Sequence, residues 1–466
     1  MTSKFTPLAA TAALAVVVQL SACGSSANPS HAQTPAARST TTTGSTPATS
    51  DANTASLSLE YAECMRAHGV PNFPNPVDGH IVLNPSSGIN PQSRTFEAAA
   101  QDCAKYGPPH GGAPAGRAAT PAASGVSTEA AAVTQATWNQ YAEWLKQQAA
   151  AGRFSGTVLV ADRGKTMLDA GYGFADEITR VPNTPKTSFC IASIGKLFTA
   201  VAIGQLAEQH KLSFGAPVGE YVSGLPARIA DHITIGELLD MTSGLGDVVL
   251  SRANPPRTLA GMVALIAKEK PQFEPGTKSL YSNDGFILLG AVVQAVSGES
   301  YIDYLRQHIL NPAGMTNTGY SAYFPDRVRG MAHGYALVGS QLRDISNQPQ
   351  IANPSGGAYS TTGDLLKFAQ ALLDYKMLTP AMTAAILTPR VNSPQPGGPA
   401  VDKFTYGFSY QQINGVTFIG HNGGTPGYTG QIDIYPHSGY VVVILTNQDG
   451  TLIPAIQRSE KILTGA

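Results

Sequence analysis

Ser193 and Lys196 form the only Ser-x-x-Lys pattern in the chain. Such a pattern arises by chance in many proteins of this length, so its setting decides what it means. The stretch that it opens, SIGKLFTAVAIGQLAEQ, is apolar nearly all round, which predicts a buried helix. Residues three positions apart on a helix share a face, and a buried lysine finds a partner or loses its charge. Lys196 could then take the proton of Ser193 and make it a nucleophile; the alternative is a solvated lysine at a helix start.

Tyr281 and Asn283 form the only Tyr-x-Asn pattern. A phenol has a reference pKa near 10, and a nearby ammonium group would lower the pKa of Tyr281 toward neutrality. Tyr281 is therefore a second candidate base, and the residue types do not decide between it and Lys196. The alternative is a core tyrosine whose hydroxyl is satisfied.

A His-x-Gly pattern occurs three times, at His110, His421 and His437. His110 falls in a predicted linker and His437 in a predicted Pro-His-Ser-Gly turn. His421 ends a predicted strand and precedes the glycine-rich GGTPG, so we select it. Gly423 and Gly424 would let the backbone approach a substrate closely.

The elements around these patterns predict an α/β (α+β) domain over residues 131–466. FSGTVLVADRG and KTMLDAGYGFAD read as a hairpin near its start. YGFSYQQI, VTFIGHN, GYTGQIDIYP and GYVVVILTNQ read as successive strands near its end. The middle is mostly helical, and LIPAIQRSEKIL predicts a closing helix. Strands at both ends of the domain predict one antiparallel sheet in which the two ends meet.

The first residues predict export. Lys4 and the apolar run Leu8 to Leu20 are typical of a signal peptide, over residues 1–22. The following Cys23 resembles the lipidated cysteine of bacterial lipoproteins, which implies a lipid anchor at the outer face of the cell membrane. The alternative is an ordinary cleaved signal followed by a chance cysteine. Residues 23–56 are rich in Ser, Thr, Ala and Pro and predict a disordered tether.

Residues 57–107 predict a small helical module, followed by a Gly/Pro/Ala linker over 108–130. Cys64 and Cys103 bracket this module and are the natural disulfide pair in an oxidising compartment. Closing a loop of about 40 residues contributes roughly 4 kcal/mol in the chain-entropy model. A metal site built on Cys64 and His68 is the alternative. Cys190 is then a free thiol, expected to be buried.

Composition excludes some functions. The formal net charge is −1 and charged residues make up 13% of the chain, with no basic stripe. This gives nucleic-acid binding no support. No metal or organic cofactor is implied.

The combined motifs resemble the serine β-lactamase-like and penicillin-binding family, including class C β-lactamases and D-alanyl-D-alanine carboxypeptidases. The resemblance is carried, in the family's order, by FCIASIGKLFTAVAI, ITIGELLDMTSGL, FEPGTKSLYSNDGFILLG, NPSGGAYSTTGDLLKFAQ and GHNGGTPGYTGQIDIYP. It implies a β-lactamase/transpeptidase-like fold with a mostly helical subdomain. Met241 departs from the histidine that relatives often carry.

The resemblance also implies the role of each motif. Ser193 would be the nucleophile, Lys196 and Tyr281 would move its proton, and Asn283 would orient the substrate amide. The N–H groups of Ser193 and Gly424 would form an oxyanion hole. Many β-lactamases carry lysine at the position of His421, whereas a histidine is largely neutral at pH 7 and attracts an anion less.

We therefore expect a serine hydrolase that forms an acyl-enzyme on a peptide, amide or ester, as a D-alanyl-D-alanine carboxypeptidase or an esterase does. A true β-lactamase is the alternative within this class. A non-catalytic lipoprotein that binds the cell wall is the alternative from another class. The module at residues 57–107 could also carry the biological role.

Overall fold

A computed structural model describes residues 59–68, 70–71, 73, 99, 103, 133–252, 254–321, 328–338, 341–346, 351–393 and 402–465. The chain divides into two units, Met1–Ser124 and Gly125–Ala466. The signal peptide with Cys23, the tether, the linker and His110 lie outside the described residues and stay predictions.

The first unit contains helix α1 (Leu59–Ala67) and a disulfide between Cys64 and Cys103. The predicted disulfide is thus confirmed. His68 lies 3.6 Å from Cys64 Sγ, and the three side chains cluster as metal ligands would. Both sulfurs are bonded to each other, however, so the thiolate ligands that the alternative metal site needs are not formed in this structure.

The strands of the second unit are numbered in chain order. They are β1 (Gly156–Asp162), β2 (Lys165–Tyr172), β3 (Phe174–Asp176), β4 (Val181–Pro182), β5 (Phe189–Cys190), β6 (Gly319–Tyr320), β7 (Tyr335–Val338), β8 (Gln341–Asp344), β9 (Ala358–Ser360), β10 (Val391–Asn392), β11 (Lys403–Phe404), β12 (Ser409–Ile413), β13 (Val416–Thr425), β14 (Tyr428–Ile434) and β15 (Tyr440–Thr446).

The helices of this unit follow the same order. They are α2 (Gln135–Ala150), α3 (Lys196–Glu208), α4 (Ala227–Ala230), α5 (Ile235–Leu239), α6 (Leu259–Ile266), α7 (Asn283–Ser297), α8 (Tyr301–Leu305), α9 (Thr362–Leu373), α10 (Pro380–Leu387) and α11 (Leu452–Thr464).

An eight-stranded antiparallel sheet organises the second unit, in the order β10-β11-β12-β13-β14-β15-β1-β2. The C-terminal strand β15 pairs with the N-terminal strand β1, with Gly156 opposite Thr446. The predicted meeting of the two ends of the domain in one sheet is confirmed, and so are the predicted hairpin and the closing helix.

Helices cover both faces of the sheet. On one face α2 and α11 pack through Trp138, Leu452 and Ala455, and the Tyr141 hydroxyl donates to Ala455 O at 2.8 Å. On the other face lies the larger core, which includes α3, α7 and α9. The candidate site residues Ser193, Lys196 and Tyr281 lie on this side of the sheet, next to the second core.

Helix α3 is buried on nearly all sides, as its apolar sequence predicts. Its residues Leu197, Phe198 and Val201 have no exposed surface, and neither has Lys196. Helix α7 begins where Ser282 Oγ accepts the Gly285 N–H at 2.8 Å. These two helices place the Ser-x-x-Lys and Tyr-x-Asn patterns side by side.

Strand β13 approaches the segment before α3 closely at Gly423. A Cβ added there would lie 2.1 Å from Ile191 O and 3.2 Å from Ser193 N. At Gly424 an added Cβ would meet only the Thr429 side chain, at 3.9 Å. At Gly423 the close approach is thus one between β13 and the backbone around Ser193, and the expected approach of both glycines to a substrate stays a prediction.

Among the described residues, no single helix combines the length and the apolar composition of a membrane span. The helix Asn283–Ser297 and the segment Tyr301–Leu310 pass that test only when joined, and they are bent by 81°.

We expect Gly423→Ala to lower the free energy of unfolding by about 1–3 kcal/mol, because β13 or residues 191–193 must move to admit the methyl group. Gly424→Ala is the matched control, since its methyl group meets ordinary contact distances. Thermal and denaturant unfolding followed by circular dichroism would measure both. Equal stability of the two variants would contradict the close approach.

Candidate active site

Ser193 lies at the start of a short connection between a strand and a buried helix. Strand β5 ends at Cys190, and a 3₁₀ turn over Ala192–Gly195 leads directly into α3. Ser193 is partly exposed and lines a cavity of about 300 Å³, together with Asn283 and Gly424. The side chain is thus accessible to a substrate at the mouth of a cleft.

The residue before Ser193 has a strained backbone. Ala192 has a φ of +43°, in the left-handed region that costs a non-glycine residue roughly 1–2 kcal/mol. Neighbouring segments hold it there, because Ile191 N–H donates to Ala358 O at 2.9 Å and Gly356 packs against the Ala192 backbone. Strain that its surroundings maintain is a feature of functional sites.

Lys196 Nζ has three oxygen neighbours inside the protein. It lies 3.2 Å from Ser193 Oγ, 2.6 Å from Asn283 Oδ1 and 2.8 Å from Ser355 O. The carbonyl oxygens of Asn283 and Ser355 can only accept hydrogen bonds. A neutral amine has two N–H groups for these acceptors, and its lone pair then faces the Ser193 hydroxyl.

The charge state of Lys196 follows from its burial. Removing the ammonium from water lowers the pKa of Lys196 well below its usual value, and the negative charge of Asp247 opposes part of this shift. Burial therefore favours the free amine of Lys196 over the ammonium form. Contact geometry and desolvation agree that Lys196 can accept a proton from Ser193.

Asp247 fixes which atom of the Asn283 amide faces Lys196. Asn283 Nδ2 donates to Asp247 Oδ2 at 3.1 Å, so Oδ1 is turned toward the lysine. The other carboxylate oxygen of Asp247, Oδ1, accepts the Leu250 N–H at 3.3 Å. Asp247 itself is exposed.

Two further carboxyl groups hold the loop that carries Asp247. Glu269 accepts the Gly246 N–H at 2.7 Å, and Asp284 accepts the Val248 N–H at 2.5 Å. Burial raises the pKa of Asp284 to about 7, and the nearby Glu269 carboxylate adds to the shift. The carboxyl groups of Glu269 and Asp284, which share a poorly solvated environment, thus hold the backbone of this loop in place.

Tyr281 is held in place because the residues before and after it both contact Met241 through their backbone N–H groups. Leu280 N–H donates to Met241 O at 2.8 Å, and Ser282 N–H contacts Met241 Sδ at 3.3 Å. The ring centroid lies 4.7 Å from Lys196 Nζ, and the hydroxyl forms a hydrogen bond with Ser193.

The expected lowering of the Tyr281 pKa is wrong. Burial raises the pKa of its hydroxyl above the usual value, and the hydrogen bond with Ser193 offsets only part of that shift. The expectation assumed an adjacent ammonium group, but the same burial favours a neutral Lys196. Tyr281 is therefore a neutral phenol near pH 7, able to donate a proton.

His421 lies in β13 and is 4% exposed. Its Nδ1 contacts Asn422 O, which only accepts, so Nδ1 carries the hydrogen and Nε2 is the acceptor. Burial lowers the pKa of His421 to about 3, with a further contribution from Lys196. The expected neutral histidine agrees with this, and its ring centroid lies 6.2 Å from that of Tyr281. His437 lies in the predicted turn.

The structure brings most of the predicted residues into one cluster. Ser193, Lys196, Tyr281 and Asn283 are joined by hydrogen bonds, and His421 is next to Tyr281. Cys190 is the expected buried free thiol.

Three contributors were missed by the sequence analysis: Asp247, Met241 as a contact of Tyr281, and the carbonyl of Ser355. Asp247 lies two residues beyond the segment ITIGELLDMTSGL, which ends at Leu245, and that nearness was the available signal. Ser355 acts through its backbone, which every residue type offers, so no side-chain pattern marks it.

Known proteins share this arrangement of elements. The model of the Beta-lactamase family matches residues 141–464. Penicillin-binding protein PbpX of Bacillus subtilis is 30% identical over 294 residues, which cover 63% of this chain and 70% of that protein. The teichoic acid D-alanine hydrolase of Staphylococcus aureus is 27% identical over 305 residues, covering 64% of this chain and 71% of that protein.

A solved structure agrees with these relatives. The penicillin-binding protein from Bacillus halodurans superposes with a TM-score of 0.62 and 32% identity, covering 68% of this chain and 98% of that chain. The family match, the relatives and the fold all indicate the same family. The chain belongs to the beta-lactamase family and is a serine hydrolase of the type found among its penicillin-binding members.

Proposed function

We propose that Ser193 is the nucleophile and that Lys196, as a free amine, is the base that activates it. The observation that carries this proposal is the contact set of Lys196 Nζ, in which two fixed carbonyl acceptors leave the lone pair facing Ser193 Oγ at 3.2 Å. As Oγ attacks a substrate carbonyl, its proton passes to Lys196. The N–H groups of Ser193 and Gly424 stabilise the oxyanion that forms.

Tyr281 completes the proton path in this proposal. The neutral phenol donates its proton to the departing amine or alcohol, and the Lys196 ammonium restores it. Hydrolysis of the acyl-enzyme runs the same path in reverse, with water in place of the leaving group. The support is the hydrogen bond of Tyr281 with Ser193 and the nearness of its ring to Lys196 Nζ.

We propose a deacylase or carboxypeptidase that acts on D-alanyl esters or amides, rather than an efficient β-lactamase. A relative is named teichoic acid D-alanine hydrolase, and others are named penicillin-binding proteins. At the position where many β-lactamases carry a cationic lysine, this chain has His421, whose pKa of about 3 keeps it neutral. A fixed charge for the β-lactam carboxylate is absent from that position.

We also propose that the hydrolase acts at the cell envelope, with Cys23 as its lipid anchor and residues 57–107 as a separate module. The support is the signal-like N-terminus and a disulfide, which forms in oxidising compartments.

The hydrolase proposal predicts that wild-type protein cleaves a D-alanyl ester or a D-alanyl-D-alanine peptide faster than nitrocefin. Ser193→Ala should lower kcat on the order of 10³-fold or more. Lys196→Arg should lose comparable activity, because a guanidinium stays protonated and has no lone pair. A fluorophosphonate label should mark wild type and not Ser193→Ala. Equal labelling of both would exclude Ser193 as the nucleophile, and faster nitrocefin turnover would favour a β-lactamase.

Asp247 should set both the pH profile and the orientation of Asn283. Only the free amine of Lys196 is a base, so kcat/KM should rise with pH through the Lys196 pKa and then level off. Asp247→Asn removes the charge that raises this pKa, so the acidic limb should move to lower pH, by less than about one unit because the carboxylate is exposed. An amide oxygen at position 247 can still accept from Asn283.

Asp247→Ala should show the same movement of the acidic limb and, in addition, about a tenfold lower kcat, because Asn283 loses its partner. Asp374→Asn is a control that removes an exposed carboxylate from a surface ion pair with Lys376. An unmoved acidic limb in Asp247→Asn would contradict electrostatic coupling to Lys196.

The anchor proposal predicts that wild-type protein expressed in a bacterial host incorporates labelled palmitate and partitions into a detergent phase. Cys23→Ser should do neither, because the acylated thiol is missing. Incorporation that persists in Cys23→Ser would rule out this anchor.

A further inference from the structure

The wall of the active-site cavity carries one charged side chain among the described residues that line it. That residue is Arg252, and the same cavity is lined by Ser193 and Asn283. We infer that Arg252 binds an anionic group of the substrate, a carboxylate or a phosphate. Arg252 would then determine specificity within the hydrolase function proposed above, on which this inference rests.

Arg252 is available for a ligand. Its side chain is exposed, and among the described residues no ion pair includes it. The nearest acid along the chain, Asp247, already accepts hydrogen bonds from Asn283 Nδ2 and the Leu250 N–H. A guanidinium with free N–H groups beside a cleft matches the paired oxygens of a carboxylate or phosphate.

The other basic groups of the site do not compete for that role. Burial holds Lys196 toward its neutral amine, and His421 is neutral with a pKa of about 3. Both are buried, whereas Arg252 faces the cavity. A negatively charged substrate therefore meets its positive charge at Arg252.

The positive charge of Arg252 lies on a different wall of the cavity from the strand that carries His421. His421 belongs to β13, whereas Arg252 belongs to the loop that Asp247 ties to Asn283. The strand wall contributes Gly424 and Thr425 to the cavity, and the loop wall contributes Leu250, Arg252 and Pro255. The anion of a productive substrate would lie toward the loop and not toward the strand.

Two pairs of chromogenic esters would test this inference and locate the anion. Mono-4-nitrophenyl glutarate carries a carboxylate on the acyl side and is compared with neutral 4-nitrophenyl pentanoate. In the second pair, 4-pentanoyloxy-3-nitrobenzoate carries the carboxylate on the leaving group and is compared with 2-nitrophenyl pentanoate. The measured quantity is kcat/KM of the anionic ester divided by that of its neutral match.

In Arg252→Gln this ratio should fall about tenfold for at least one pair, and Arg252→Lys should recover part of the loss. Arg257→Gln is the matched control, because Arg257 is an exposed arginine on the same loop that lines a neighbouring cavity. Its ratio should stay within about twofold of wild type. An unchanged ratio for both pairs in Arg252→Gln, or an equal fall in Arg257→Gln, would overturn the inference.

A binding measurement separates this inference from the proposed function. The two anionic esters are titrated calorimetrically into Ser193→Ala protein, with and without Arg252→Gln. We expect Kd to rise about tenfold for the ester whose anion reaches Arg252. Unchanged Kd values for both esters would overturn the inference. If binding depends on Arg252 but wild type cleaves none of the esters, the hydrolase proposal fails and the inference stands.

Discussion

The site depends on keeping one amine out of water. Lys196 has no exposed surface and sits at the start of an apolar helix, so its charged form is strongly disfavoured. The neutral form is satisfied by two carbonyl oxygens, from Asn283 and Ser355, which belong to segments far apart in the chain. Any change that admitted water to this position would favour the ammonium group and remove the base that we propose. The packing of α3 is therefore a chemical requirement as well as a structural one.

The loop after α5 links stability to this chemistry. Glu269 and Asp284 hold its backbone, and the loop in turn presents Asp247 to the Asn283 amide. Asp284 directly follows Asn283 in α7. The same turn of this helix therefore holds the loop backbone through Asp284 and binds the Asp247 carboxylate through Asn283. The orientation of a single amide thus rests on three acids in one small region, of which Asp247 alone hydrogen-bonds to that amide.

The charges around the cleft are divided between its interior and the loop at its rim. Burial favours the neutral form of each ionisable group nearest Ser193: the Lys196 amine, the Tyr281 phenol and the His421 imidazole, whose pKa lies near 3. The formal charges, those of Asp247 and Arg252, lie on the loop at the rim. Neutral groups inside a poorly solvated site can exchange protons with little reorganisation, and charged groups at the rim can select substrates.

The sequence by itself determined the two motifs that carry the proposed catalytic residues, the buried helix, the antiparallel sheet closed by both ends of the domain, and the Cys64–Cys103 pair. These features follow from local periodicity and from residue types at fixed spacings, which are present in the sequence before the chain folds. Only the tertiary structure decided the protonation of Tyr281, the need for glycine at 423, and the places of Asp247, Ser355 and Arg252. Those features depend on desolvation and on backbone contacts between segments far apart in the chain, and neither leaves a pattern among neighbouring residues.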